Sequence, residues 1–258
     1  MSRPHRTRTA YDTAMAAAYV LGRTLRPADI DAWMTAARPY LPAAPGRLLD
    51  LGAGTGRFSA ALAAACSATV IACEPSPAMR EVCRASCPAE VSIVAGTAEA
   101  LPFADHVIDT VWASQVVHHI ADLPAFAREL RRVLRPGGAL LLRGGFGPVT
   151  DLPLYRYFPQ AWSAGSVHPP LRDLADLLAG AGLRQVAHLS VGQLLASDGR
   201  ELVEKVRTRS LSTLARLPDS EYQAGLRQLE ADVTHGRFPA PVTEQLDLVV
   251  FRSSRTTR

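Results

Sequence analysis

The sequence predicts an α/β fold, a doubly wound parallel sheet carrying a helical cap, and three observations lead there. From Arg47 onward, short apolar runs alternate with segments of helical periodicity, the pattern of a parallel sheet covered by helices on both faces. The first apolar run ends in glycines at alternate positions and passes straight into an alanine-rich segment. The chain has 258 residues, 48% of them hydrophobic, which suits one sizeable core with an appended cap better than two full domains.

The elements follow in order. Tyr11 to Tyr40 contains no glycine except Gly22, and Ala14, Ala17, Ala18 and Leu21 recur at helical spacing. Pro27 opens a second helix through Ile30, Trp33 and Met34. Residues 1–45 therefore read as a helical N-terminal lid, closed by the break from Leu41 to Gly46. Residues 46–258 read as the main domain. Its strands are Leu48 to Leu51, Thr69 to Cys73, Val91 to Val94, Val107 to Ala113 and Ala139 to Arg143. Its helices are Phe58 to Ala65, Ala78 to Ala85 and Leu123 to Leu134, and Pro136-Gly137-Gly138 is a turn. Beyond Gly144 come an aromatic, proline-bearing insertion near 147–170 and a helix from Leu171 to Leu178. A strand from Gln185 to Val191, polar helical segments within 194–240 and a last strand from Leu246 to Arg252 complete the chain.

The formal net charge is +4, and Lys205 is the only lysine. Much of the surplus charge lies in the tails, Ser2 to Thr9 and Arg252 to Arg258, which read as solvated ends rather than a nucleic-acid footprint. The apolar runs are too short to span a bilayer, and no apolar run follows the basic N-terminus directly. The expectation is a cytoplasmic protein with no membrane and no nucleic-acid partner. Cys66, Cys73, Cys83 and Cys87 show no zinc spacing and read as free thiols.

The chemistry starts at Leu48-Leu49-Asp50-Leu51-Gly52-Ala53-Gly54-Thr55-Gly56. Gly52 and Gly54 let the backbone approach a ligand and adopt conformations a Cβ would forbid. The turn sits at the carboxyl end of the first strand, where open α/β sheets bind ligands. A dinucleotide fold needs Gly-x-Gly-x-x-Gly, and here the third glycine comes one position early. Glu74 follows the second strand, 18 residues after Gly56. That is close to the roughly 20 residues at which a strand-end acid meets a ribose.

This segment resembles motif I of the class I S-adenosylmethionine (SAM)-dependent methyltransferases, of the UbiE/methyltransferase type 11 kind. The resemblance covers Arg47 to Arg143 and implies a Rossmann-like seven-stranded sheet whose last strand runs antiparallel. It implies SAM as cofactor, with Gly52, Ala53 and Gly54 against its methionine part and Asp50 near the amino group. Glu74-Pro75-Ser76-Pro77-Ala78-Met79 is similar to the family's next segment, which gives Glu74 the ribose hydroxyls, with Pro75 beside it, and Met79 the adenine face. Gly96-Thr97-Ala98-Glu99-Ala100-Leu101-Pro102-Phe103 resembles the segment that meets the adenine, and Thr97 replaces the usual Asp. A hydroxyl accepts more weakly than a carboxylate. Ala113 and Gln115 match positions whose backbone lies near the sulfonium.

The implied reaction transfers the methyl group to an O, N or C nucleophile of a small molecule, such as a natural-product intermediate. His118 is the candidate general base, since an imidazole titrates near neutrality; a cleft-lining or packing histidine is the other reading, and His119 is expected to point elsewhere. His168 is a weaker candidate. Tyr11, Tyr19 and Arg23 resemble the N-terminal helix that lies over the cofactor in related enzymes, and Tyr19 and Arg23 share a helix face; an amphipathic helix packed on the sheet is the alternative. Tyr155, Tyr157, Phe158 and Trp162 either wall an acceptor pocket or fill a core. The later helices cap that pocket or make a homodimer contact. No metal site is expected. Two rival functions share the scaffold: a SAM-binding enzyme of cyclase or hydroxylase type, and a non-catalytic SAM-binding module.

Overall fold

A computed structural model describes residues 25–146, 153–162, 169–209, 212–215, 217–238 and 240–254. Tyr11, Tyr19, Arg23 and His168 lie outside the described residues, as do most of the lid and much of the 147–170 insertion.

The described strands form one seven-stranded sheet in the order β3-β2-β1-β4-β5-β7-β6. The strands are β1 (Arg47–Leu51), β2 (Thr69–Cys73), β3 (Ser92–Val94), β4 (Ile108–Ser114), β5 (Leu134–Gly144), β6 (Leu183–Ala196) and β7 (Val242–Ser253). The first five pair in parallel, and β7 is antiparallel to both β5 and β6. The order reverses between β1 and β4, which opens a crevice above the carboxyl ends of those two strands.

Residues of opposite parity line the two faces of the sheet. Leu49, Leu51, Val111, Ala113, Leu140, Leu142, Val249 and Phe251 face one core. That core is closed by α4 (Leu123–Val133), through Phe126, Ala127, Leu130 and Val133, and by α5 (Leu171–Gly180), through Leu174 and Leu178. Leu48, Val70, Ala72, Trp112, Leu141, Leu248 and Val250 face the other core. There they meet Trp33, Met34 and Ala37 of α1 (Pro27–Ala37), Phe58 and Leu62 of α2 (Arg57–Ala65) and Cys83 of α3 (Pro77–Ser86). A third cluster lies in the cap, where Leu154, Phe158, Leu202, Val206, Tyr222, Leu226 and Leu229 pack together. They join the 153–162 segment to α6 (Gly199–Arg207) and α8 (Asp219–Thr234), with the single turn α7 (Ser212–Ala215) beside them.

Local chemistry sets the helix starts. Ser76 accepts a hydrogen bond from the Met79 amide at 3.3 Å, and Pro77 opens α3. Asp122 accepts from the Ala125 amide at 2.8 Å to start α4. Gly56 enters α2 from the left-handed region, at φ 81°.

Two boundaries differ from the sequence reading, each for a physical reason. The Pro136–Gly138 turn lies within β5. Ile108 pairs with Leu134 and Thr110 with Ala139, so two residues of β4 span five of β5 and the surplus bulges out. β6 runs 14 residues rather than seven, with two register shifts against β7. Most of its middle is solvent-exposed, which blurs the alternation that marks a strand. The polar helical segments within 194–240 are α6, α7 and α8; α6 ends at Arg207, and Arg209 turns to φ 48°.

Candidate active site

The loops leaving β1, β2, β3 and β4 meet around a cleft of about 400 Å³. One side is the glycine turn. Gly54 holds φ 59°, and a Cβ built there would meet nothing within 4 Å. It would instead project into the cleft that Gly54 lines. Gly52 also needs its positive φ of 68°, but a Cβ there would stand 2.5 Å from a methyl of Val116. Gly54 is thus glycine for the cleft, and Gly52 for the packing beneath it.

Glu74 sits at the end of β2 with 6% of its surface exposed. Its carboxylate accepts from the Gly54 amide at 3.0 Å and the Ser76 amide at 2.8 Å. Burial pushes its ionisation up, and those two amides and the nearby Arg80 guanidinium pull it back. Arg80 in turn donates to the carbonyls of Glu74 and Pro75 at 2.8 and 2.9 Å. The carboxylate is fixed at the cleft wall with lone pairs still to offer, as bidentate recognition of a diol requires.

Pro75, Pro77 and Met79 continue the wall, and Thr97, Ala98 and Glu99 close the far end. That far end is strapped to α4. Leu101 N donates to Glu129 at 2.7 Å, while Arg132 donates to the carbonyls of Leu101 and Phe103 at 3.0 and 2.5 Å. Glu99 accepts from the Ala121 amide at 2.9 Å, tying the same loop to the segment before α4.

Ser114, Gln115, Val116, His119 and Ile120 form the side above β4. Gln115 takes φ 54°, in the left-handed region, and its amide donates to the Arg143 carbonyl at 2.8 Å. This kink ends β4 while keeping it tied to β5. Past it, Val117–His119 is a 3₁₀ turn, in which successive side chains are about 120° apart.

The turn changes the histidine assignment. The sequence reading aimed His118 at the cleft and His119 away. His119 lines the cleft, and His118 is buried at 7% exposure with the two ring centroids 4.0 Å apart. The two-residue alternation of β4 does not carry into a three-residue turn. Three other predicted residues, Asp50, Ala53 and Ala113, also sit back from the main cleft. Ala113 is fully buried in β4, and Ala53 lines a small polar recess next door.

That recess, about 30 Å³, lies on the far side of Gly52, Ser114 and Gln115, which it shares with the cleft. Asp50 lines it, and so do Arg57 and Arg143. Asp50 is 2% exposed and accepts from Ser59 Oγ at 2.6 Å. Burial raises its ionisation to about 7 against the lowering by Ser59, and the nearby Glu74 charge adds to the rise.

Arg143, Ser114 and Ser76 were not singled out in the sequence. Arg143 closes an apolar run, Ala139 to Leu142, just before Gly144 and Gly145. A charged residue ending a buried strand is the signal that could have found it. Of the insertion's aromatic residues, Tyr155, Tyr157 and Phe158 pack in or against the cap core. Phe158 stacks on Tyr222 in the cap core, Tyr157 donates to Asp232 at 3.0 Å and Tyr155 bonds Thr213 at 3.0 Å. Among the described residues no group of three metal-ligating side chains occurs, and no helix is long and apolar enough to cross a membrane.

A methyltransferase-domain family profile matches residues 49–142. An uncharacterized methyltransferase of Mycobacterium tuberculosis is 41% identical over 123 residues, 48% of this chain and 47% of that protein. The ubiquinone/menaquinone biosynthesis C-methyltransferase UbiE of Rubrivivax gelatinosus is 32% identical over 169 residues, 58% of this chain and 67% of that protein. Among solved structures, a protein assigned as a methyltransferase of an antibiotic biosynthesis pathway in Anabaena variabilis superposes with a TM-score of 0.69. Its identity is 26%, over 84% of this chain and 95% of that one. The chain belongs to the class I SAM-dependent methyltransferases. It spans about half the length of the first of the curated relatives it matches, 47% of the Mycobacterium tuberculosis protein.

Proposed function

We propose that this chain binds SAM in the cleft above β1 and β4 and transfers its methyl group to an O, N or C nucleophile of a small molecule. The observation that carries the reading is Glu74, clamped by the Gly54 and Ser76 amides at the cleft wall, with open space in front of Gly54. The residues fit the cofactor's three parts. Met79, Thr97 and Ala98 face the adenine, Glu74 takes the ribose hydroxyls, and Gly52 and Asp50 face the methionyl end. When bound, SAM supplies a methyl on a positively charged sulfur, so no residue needs to generate the electrophile.

What the protein contributes is position. The rigid β4 end, with Ser114, Gln115 and His119, holds the acceptor in line with the methyl group and keeps water away. Where the acceptor atom carries a proton, the histidine pair takes it. His119 presents its ring to the cleft and His118 backs it. His119→Ala is expected to lower turnover by about 10²-fold or more while SAM binding is kept. A loss confined to His118→Ala would return the base role to His118, and full turnover in both variants would remove it.

The acceptor is read as a small molecule because relatives named for this chemistry include a malonyl-[acyl-carrier protein] O-methyltransferase of Legionella pneumophila and the UbiE C-methyltransferase. Those names span two acceptor elements, so the element stays open. Residues 1–45, with Tyr11, Tyr19 and Arg23, are proposed as the lid over the cofactor, and a cytoplasmic location is proposed with them.

Titration calorimetry with S-adenosylhomocysteine tests the binding half. Micromolar affinity in wild type, reduced at least tenfold in Glu74→Ala, is the expected result. No binding to the wild type would sink the proposal. Release of S-adenosylhomocysteine together with a methylated product, measured by mass spectrometry, tests the transfer half and separates it from cyclase or hydroxylase chemistry.

A further inference from the structure

A row of polar side chains crosses the sheet face that otherwise carries Trp112, Leu141 and Leu248. Ser114 of β4 stands opposite Arg143 of β5, Arg143 opposite Leu248 of β7, and Glu244 of β7 opposite Gln193 of β6. All four polar residues therefore point to the face that α1 covers through Trp33. Each is tied to the next. Gln193 is buried, its Nε2 donates to Glu244, and its Oε1 accepts from Trp33 Nε1 at 3.2 Å and from the Arg143 guanidinium. That guanidinium lies over the rings of Trp33 and Phe58 at 4.4 and 5.2 Å and donates to Ser114 Oγ at 3.2 Å. The Arg143 carbonyl accepts from the Gln115 amide at 2.8 Å. α1 also fixes the strand at this point, since the next amide of β6, Leu194 N, donates to Asp29 at 2.9 Å.

The row reaches the cleft at Ser114 and Gln115, which both line it. Gln115 holds φ 54°, so this wall ends in a backbone bend that its surroundings must support. Arg143 supports it twice, with its main chain at Gln115 and its guanidinium at Ser114. The side chain that orients the guanidinium is Gln193. An amide suits the position, because one planar group accepts from two donors through its oxygen and serves Glu244 through its nitrogen. Buried networks of this kind are rigid, and loss of the Gln193 oxygen would take an acceptor from two buried donors at once. We infer that Gln193 is a positioning residue for the cleft. From the strand that leads into the cap, it holds Arg143 against Ser114 and so sets the β4 wall that meets the cofactor. The inference rests on the proposed reading of the cleft as a SAM site.

The test titrates S-adenosylhomocysteine by calorimetry into wild type, Gln193→Leu, Gln193→Glu, Ser114→Ala, and Gln193→Leu combined with Ser114→Ala. Both Gln193 variants lose the donor to Glu244 and should melt earlier, but only Gln193→Glu keeps an oxygen facing Arg143 and Trp33. Gln193→Leu is expected to weaken binding about tenfold, Gln193→Glu to bind as wild type does, and Gln193→Leu to cost nothing further once Ser114 is alanine. Equal weakening in the two Gln193 variants, losses that simply add, or no loss in Gln193→Leu would each overturn the inference and leave the SAM reading intact, because a role in the fold alone accounts for all three. If Gln193→Leu fails to fold, the Trp33 indole N–H resonance, identified by its loss in Trp33→Phe, carries the test. S-adenosylhomocysteine should shift it in wild type and leave it in place in Ser114→Ala. A resonance that the ligand does not move in wild type, or moves equally in Ser114→Ala, would overturn the inference. Absence of binding to wild type would overturn both the inference and the SAM reading.

Discussion

Asp50 shows at the scale of one residue how burial and ligand charge compete. Its ionisation stands near 7 because burial outweighs the Ser59 hydroxyl. A raised carboxylate stabilises the fold in its protonated form, so that stability is present below the ordinary aspartate range and is lost as pH rises through about 7. The full effect is on the order of 4 kcal/mol. The unliganded protein should therefore lose stability between the ordinary aspartate value of 3.8 and about 7 and level off above it, and Asp50→Asn should flatten the profile, as chemical denaturation at each pH would show. Binding runs the other way. A ligand ammonium favours the charged carboxylate, so S-adenosylhomocysteine affinity should rise through the same window in wild type and stay level in Asp50→Asn. A flat wild-type profile would mean that Asp50 does not meet the ligand's cation. Asp50 was legible because it sits inside a short motif of fixed spacing. Arg143 was not, because its partners Ser114 and Gln193 stand 29 and 50 residues away and only the sheet brings them together. The histidines were misread because strand parity was carried past Gln115 into a turn with a different period.

Elements explain why one wall of the cleft is rigid. The loop after β3 has only the Thr97–Ala100 bridge as regular structure. Its order comes from α4, whose Glu129 and Arg132 form a salt bridge at 2.7 Å and grip the loop backbone at Leu101 and Phe103. Bonds from a charged donor to backbone are each worth about 1.5–3 kcal/mol, and two are at stake in Arg132. Arg132→Ala should loosen the loop that carries Thr97, Ala98 and Glu99, and weaken S-adenosylhomocysteine binding about tenfold. Calorimetry on the folded variant checks this, with adenosine as a second ligand. If the loop matters through the adenine, the two affinities fall together; unchanged affinity for both would show that the strap is structural only. Element types were legible in this half because Ser76, Asp122, Pro77 and Gly56 mark helix starts locally. β6 was only half legible, since an exposed edge strand writes little hydrophobic pattern into its sequence.

Across the whole molecule the cleft and the cap core share no residue. The cleft stands on the parallel half, β3-β2-β1-β4, while the cap is carried by the antiparallel extension beyond β5. The cap core contains none of the residues that line the cleft. A cavity in it should leave cofactor binding alone. Phe158 is the sharpest probe, being 2% exposed, stacked on Tyr222 and standing against Gly225, where an added Cβ would come within 2.5 Å of its ring. Phe158→Ala should cost about 3–5 kcal/mol, spent mainly in the cap, and should lower turnover or acceptor affinity while S-adenosylhomocysteine affinity stays within about twofold. Thermal melting, calorimetry and single-turnover assays on one sample separate these effects. If cofactor affinity falls in step with stability, the two halves unfold as one unit and the cap is part of the cofactor site's framework. If affinity holds while turnover falls, the antiparallel extension is the acceptor-reading half, attached to a cofactor-binding half that does not depend on it.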